Sequence, residues 1–172
     1  GVNHHTFSIV TGSATANNAT LTVQELVRAR TANFETNMDF ILEGTITARG
    51  VNVTSTNLTI EVGASITTDG RGELGGINGN NGSGPGGGVG ISATRGKRGA
   101  GGAGYGDIGG HGLDGGPGTS YGSLSEPTDY GSGGGGAQTT DYPSNGRGGN
   151  GGGAVRIIVT GTTTINGTIT AN

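Results

Sequence analysis

The residues with the strongest chemical suggestion are Gly109-Gly110-His111-Gly112-Leu113-Asp114, which match the opening of the calcium-binding nonapeptide GGxGxDxUx. The position that should carry a large apolar residue is Gly116, and the chain holds a single copy. Successive turns of such a motif share each ion, so one copy is not a site. The other histidines, His4 and His5, are adjacent and would point to opposite faces of a strand, where they cannot share a metal. Glu35, Asp39, Glu43, Glu61, Asp69 and Glu73 are scattered. Glycoside cleavage needs a pair of carboxylates facing one bond, and no paired motif is present. Gly96-Lys97 hints at a phosphate loop, but Arg98 stands where Ser or Thr is required. With no cysteine there is no thiolate nucleophile, redox pair or disulfide. The expectation is therefore a protein without catalytic residues, metal or cofactor.

Composition narrows the class. The chain has 172 residues, 29% of them apolar and 4% aromatic. An ordinary globular chain is roughly 45–50% apolar by a similar count. A net charge of −3 gives no basic field for nucleic acid, and no apolar run is long enough to span a membrane. No secretory leader is visible in the sequence.

Glycine divides the chain. Of the 42 Gly, 35 fall within residues 70–153. Residues 1–69 and 154–172 are instead rich in Thr, Val, Ile and Asn. Alternation in Thr20-Leu21-Thr22-Val23, Asn57-Leu58-Thr59-Ile60 and Val155-Arg156-Ile157-Ile158-Val159 predicts strands with one buried face. Residues 23–30 fit a short helix or a strand, and the neighbouring strands favour the latter.

Residues 40–50, 58–70 and 162–172 resemble one another: a strand, a Gly-containing turn, then a short Ile-Thr strand. Self-similarity of this kind marks units that must stack to bury their apolar faces. Placing the end before the beginning gives Thr170-Ala171-Asn172-Gly1-Val2-Asn3, which repeats Thr47-Ala48-Arg49-Gly50-Val51-Asn52 at five of six positions. Two readings follow: a tandem array with a 172-residue period, or separate subunits stacked head to tail.

In the middle region Gly84, Gly87, Gly90, Gly96, Gly99 and Gly102 lie on a three-residue lattice, and Gly106, Gly109, Gly112, Gly115 and Gly118 on a second. Three residues is the repeat of the polyproline II helix, whose glycine face lets other backbones approach. Four Pro are too few for collagen. Turns are expected around Tyr105, Tyr121 to Tyr130 and Thr140 to Asn145. Tyr105, Tyr121, Tyr130, Tyr142, Leu113 and Leu124 are expected to cover the faces of the bundle; the alternative is a binding surface, for which Tyr121, Tyr130 and Tyr142 are the candidates.

These tracts resemble the polyglycine II bundles of springtail antifreeze proteins and of certain phage tail-fibre tip adhesins. The wider arrangement, Asp69-Gly70 into the glycine block and Gly151-Gly152-Gly153-Ala154-Val155-Arg156-Ile157 out of it, is similar to glycine-rich repeats of large secreted or cell-surface proteins. The resemblance covers roughly residues 56–172. It implies secretion and a structural or adhesive role, and it carries over no catalytic residue.

The expected fold is mainly β, with stacked solenoid-like strands flanking a glycine-rich insertion of polyproline-II-like segments. Residues 1–69 form a strand-repeat region and 70–153 a glycine-rich lobe. Residues 154–172 complete the solenoid and continue into the next repeat. The expected function is a structural unit of an extracellular fibre, partnered by itself. An adhesin using the glycine lobe is the alternative, and ice binding a lesser one. Sequons at Asn18, Asn52, Asn57, Asn81 and Asn166 are candidate glycan sites.

Overall fold

The computed structural model describes residues 4–6, 13–16, 20–93, 99–139 and 146–172. It is mainly β, with parallel sheets and no helix among these residues. The strands up to the glycine block are β1 (His4–Thr6), β2 (Ser13–Ala16), β3 (Thr20–Val23), β4 (Val27–Thr36), β5 (Asp39–Leu42), β6 (Thr45–Ser55), β7 (Asn57–Ile60) and β8 (Ser65–Thr67). Within the block lie β9 (Ile91–Ala93) and β10 (Ala137–Thr139). After it come β11 (Ala154–Val159), β12 (Thr163–Ile165) and β13 (Thr168–Thr170). The chain divides into two compact units, one of Gly1–Thr68 with Val155–Ala171 and one of Asp69–Ala154 with Asn172.

The first unit contains two parallel sheets whose strands alternate along the chain. One sheet runs β1-β3-β5-β7-β12; the other runs β13-β8-β6-β4-β2, with β11 pairing to β6 as well. Leu21 lies opposite Phe40 and Phe40 opposite Leu58, so partners are 19 and 18 residues apart. Val27 opposite Ile46 and Ile46 opposite Ile66 give 19 and 20. From β12 back to β7 the interval is 105, Leu58 to Thr163. The 86 residues of Asp69–Ala154 account for all but 19 of it. The glycine block is thus spliced into a repeat that resumes unchanged.

Where it is spliced is visible in β6. This strand continues without a break from Thr45–Thr47, which faces β8, to its far end, where Ser55 accepts a bond from Thr160. In the following repeat the same path is divided into β8 and β11, with the block between them.

In-register pairing lines up like residues. Val23, Leu42 and Ile60 form one column, Val27, Ile46 and Ile66 another, and each is 0–2% exposed. Each such burial contributes about 1.5–3 kcal/mol. The turns stack too. A Cβ on Gly44 would overlap the Glu25 carbonyl beneath it. Gly63 turns at φ 85°, a conformation that costs a side-chain-bearing residue energy. The stretch 23–30, open to either reading in the sequence, ends β3 and opens β4.

In the second unit the backbone does the binding. Gly72 bonds to the segment at Gly151, Glu73 to the one at Gly131, Gly75 to the first again through Asn150 Oδ1, and Gly76 to the second through Gly134. Donors three apart therefore address the same neighbour. The pattern recurs: Gly131 and Gly134 donate to Gly152 and Gly149, Gly148 and Gly151 to Gly76 and Glu73, Gly101 and Gly104 to Val89 and Gly86. A β-strand would repeat this direction every two residues. Gly109 and Gly112 likewise donate to one neighbour, and Gly115 and Gly118 to another, whereas Gly106 of the same lattice has a φ of 36°. Gly84 and Gly99 do not fit theirs: at φ 94° and 97° they are turn residues, outside the polyproline II region. Gly96 and Lys97 lie outside the described residues.

Candidate functional site

Two places on the molecule are candidates for a functional site. The first lies in the glycine unit. Tyr105 and Tyr121 meet edge to face, with ring centroids 5.0 Å apart. The Tyr121 hydroxyl donates to the Tyr130 carbonyl at 2.5 Å, and Ser123 Oγ accepts from the Glu126 N–H at 3.0 Å. These bonds brace the excursion between Tyr121 and Tyr130, which presents Leu124 at 82% exposure. The Tyr105 hydroxyl is buried without a hydrogen-bond partner of normal geometry. Burial is the main cause of its raised pKa; a loose contact with the Asp129 backbone offsets part of the shift.

Of the candidate ligand residues, Tyr121 has its hydroxyl on the main-chain carbonyl of Tyr130, a bond that braces the loop. Tyr142 lies outside the described residues. Tyr105, expected to mark a turn and to cover a face of the bundle or a binding surface, packs against Tyr121. Sequence gave no sign of this, because the rings are brought together by backbone pairing across the bundle.

The second place is the edge of the first unit formed by β12 and β13. Leu58 N–H donates to the Thr162 carbonyl, and Asn166 N–H donates to the Ile60 carbonyl. Parallel strands alternate the direction of their polar groups, so Thr163 and Ile165 turn theirs away from β7. By the same alternation Thr168 and Thr170 bond towards β8, and Ile169 turns away. Among the described residues both strands are last in their sheets. The apolar column ends here as well: Ile60 is fully buried, whereas Ile165, directly in register with it, is 50% exposed.

Of the expected joint residues, Thr170 closes β13, and its hydroxyl donates to Thr67 Oγ1 at 3.1 Å. Asn172 N–H donates to Asp69 Oδ1 at 2.7 Å, and Ala171 precedes it, exposed. Gly1, Val2 and Asn3 lie outside the described residues, as does Asn18.

The remaining sequons differ in what the fold asks of them. Asn57 Nδ2 donates to Asp39 Oδ1 at 2.7 Å and its Oδ1 accepts from Thr162 N–H at 2.8 Å. Asn52 Nδ2 donates to Asn33 Oδ1 at 2.8 Å, and Asn81 Oδ1 accepts from Gly90 N–H at 2.8 Å. Asn166 sits exposed in the turn between β12 and β13.

The carboxylates serve the framework: Asp39 receives Asn57, Glu43 receives Gln24, and Asp69 receives Asn172. Around His111 and Asp114 the backbone closes on itself, with Gly112 N–H donating to the Gly115 carbonyl at 2.9 Å. Among the described residues no three His, Asp or Glu gather as metal ligands. No helix there is long and apolar enough to cross a membrane. No family model, curated protein or solved structure matches this chain.

Proposed function

We propose that this chain is a structural unit of an extracellular fibre, with a β-solenoid shaft that carries a polyglycine II lobe and grows end to end. The observation that supports it best is the half-exposed Ile165 in register with the buried Ile60, on a strand that is last in its sheet among the described residues. A free parallel edge over an apolar column is a template for another layer of the same kind. The 18–20 residue register and the splice that restores it support the solenoid. The three-residue direction of donation supports polyglycine II. Function is then mechanical: length, stiffness and display of the lobe, with glycans at accessible sequons. Extracellular placement rests on composition and on the resemblance to secreted glycine-rich repeats.

An adhesin reading has its own support in the braced loop that exposes Leu124 and in Leu113, which is 84% exposed. Electron microscopy of the native material separates the two. Filaments with a regular axial repeat are expected. Monomers or small closed oligomers would sink the fibre and favour the adhesin.

A further inference from the structure

We propose that Asn166-Gly167 is a site of spontaneous deamidation, at which Asn166 is converted to aspartate or isoaspartate. The sequence holds five Asn-Gly pairs, beginning at Asn78, Asn81, Asn145, Asn150 and Asn166. Asparagine is thermolabile. A following glycine offers the least hindrance when its amide nitrogen attacks the side chain. In the step, the Gly167 nitrogen bonds to Asn166 Cγ and the Cγ–Nδ2 bond breaks. Nδ2 leaves as ammonia, taking the proton of the Gly167 N–H. Water then opens the cyclic imide. Cleavage between the nitrogen and Cγ leaves aspartate, and cleavage between the nitrogen and the main-chain carbonyl carbon leaves isoaspartate. Water is the only co-reactant.

The fold decides which pair is free to react. At Asn81-Gly82 the Gly82 N–H donates to the Gly88 carbonyl at 2.9 Å, and Asn81 Oδ1 accepts from Gly90 N–H. At Asn150-Gly151 the Gly151 N–H donates to the Glu73 carbonyl at 2.9 Å. The Asn150 amide is held at both ends, by the Gly75 N–H and the Gly70 carbonyl. Asn78 sits at φ 52° in a turn closed by Asn80 N–H on the Ile77 carbonyl. Asn145 lies outside the described residues. Asn166 is exposed, and neither its side-chain amide nor the Gly167 N–H has a hydrogen-bond partner among the described residues.

The stack imposes the glycine. Leu42, Ile60 and Ile165 lie in register, so Glu43, Glu61 and Asn166 follow at the same point of successive turns. A Cβ on Gly167 would overlap the Ala64 carbonyl, as one on Gly44 would overlap that of Glu25. The Gly44 N–H, by contrast, donates to the Val23 carbonyl at 3.0 Å. Glu43 is exposed with a turn on either side of it, so this point of the turn faces outward whether or not another layer covers it. The reaction needs only this turn and does not depend on assembly.

The product acts on β13. A carboxylate at position 166 joins Glu43 and Glu61 in a column of like charge, which is destabilising. Isoaspartate also lengthens the main chain just before Thr168, whose pairing with Ser65 opens β13.

The test incubates the purified 172-residue chain in mildly alkaline buffer, folded and in denaturant. Mass spectrometry follows each Asn-Gly peptide, and an isoaspartate-specific methyltransferase labels the isomer. In the folded chain the Asn166 peptide should exchange its amide for a carboxyl about tenfold or more faster than the Asn81 and Asn150 peptides. That is the margin expected from one or two hydrogen bonds on each protected pair. In denaturant the rates should converge. Amide exchange at Thr168, Ile169 and Thr170 should quicken as product accumulates. Asn166→Gln, which would have to close a larger ring, should abolish both changes. Equal rates in the folded chain would overturn the proposal, as would an Asn166 that stays intact while Asn81 or Asn150 reacts. The same order of rates in denaturant would overturn the role of the fold. Product at position 166 with unchanged exchange in β13 would overturn its effect on the strand.

Discussion

The two units solve the same problem with different atoms. In the first, side chains hold the chain: columns such as Val23, Leu42 and Ile60 exclude water, and the backbone bonds follow the register they set. In the second, the backbone holds itself, and side chains are mostly absent from the contacts because glycine leaves room for carbonyls to meet N–H groups. Few apolar residues can therefore still order a long segment, provided that each backbone donor has somewhere to go.

The sharpest way to break this comparison is to remove bulk from the first unit. Phe40 is fully buried and packs against Phe34 with ring centroids 5.1 Å apart. Phe40→Ala should cost about 3–5 kcal/mol in urea unfolding followed by amide exchange of β3, β5 and β7. A loss below about 1 kcal/mol would mean that the column is not what holds the sheets.

The converse experiment adds bulk to the second unit. Gly151 is buried, and a Cβ there would overlap the Gly131 carbonyl, whereas a Cβ on Gly149 meets nothing within 4 Å. Gly151→Ala should destabilise the bundle by about 1–3 kcal/mol and Gly149→Ala by almost nothing. The readout is exchange of the Gly131, Gly134 and Gly148 amides. Equal effects of the two substitutions would remove the case for close approach.

The smallest effect is a matter of pH. Burial raises the Tyr105 pKa above its usual 10.0. The folded state then holds the proton that the unfolded state releases. Its contribution is complete below pH 10.0 and is lost as pH rises through the folded value. Unfolding measured across that window should show the loss in wild type, and Tyr105→Phe should remove this component. An unchanged slope in the variant would show that Tyr105 titrates as a solvated phenol.

Much of this contrast can be read along the chain. The alternation of Thr20-Leu21-Thr22-Val23 and Asn57-Leu58-Thr59-Ile60 predicts β3 and β7, because a two-residue apolar period has only one way to bury itself. The period-three glycines predict a bare face that other backbones can approach, and Gly109 and Gly112 both donate to the segment of Gly115 to Gly118. The sequence misled at Gly84 and Gly99, since a glycine that turns the chain looks the same as one that packs it. It was silent on Glu73 and Gly76 sharing a neighbour, because the partner segment is far along the chain.

By itself, then, the sequence determined the strands of the flanks and the change to glycine-rich composition after Asp69, since these depend on residue type and local period. Only the tertiary structure decided that β8 and β11 are the halves of one interrupted path, that the Tyr121 hydroxyl reaches the Tyr130 carbonyl, and that Ile165 stands half exposed in register with a buried Ile60. Each of these depends on which distant residues come to lie in register. Register is a property of the whole stack, fixed by cooperative burial of all its columns, and no single segment encodes it.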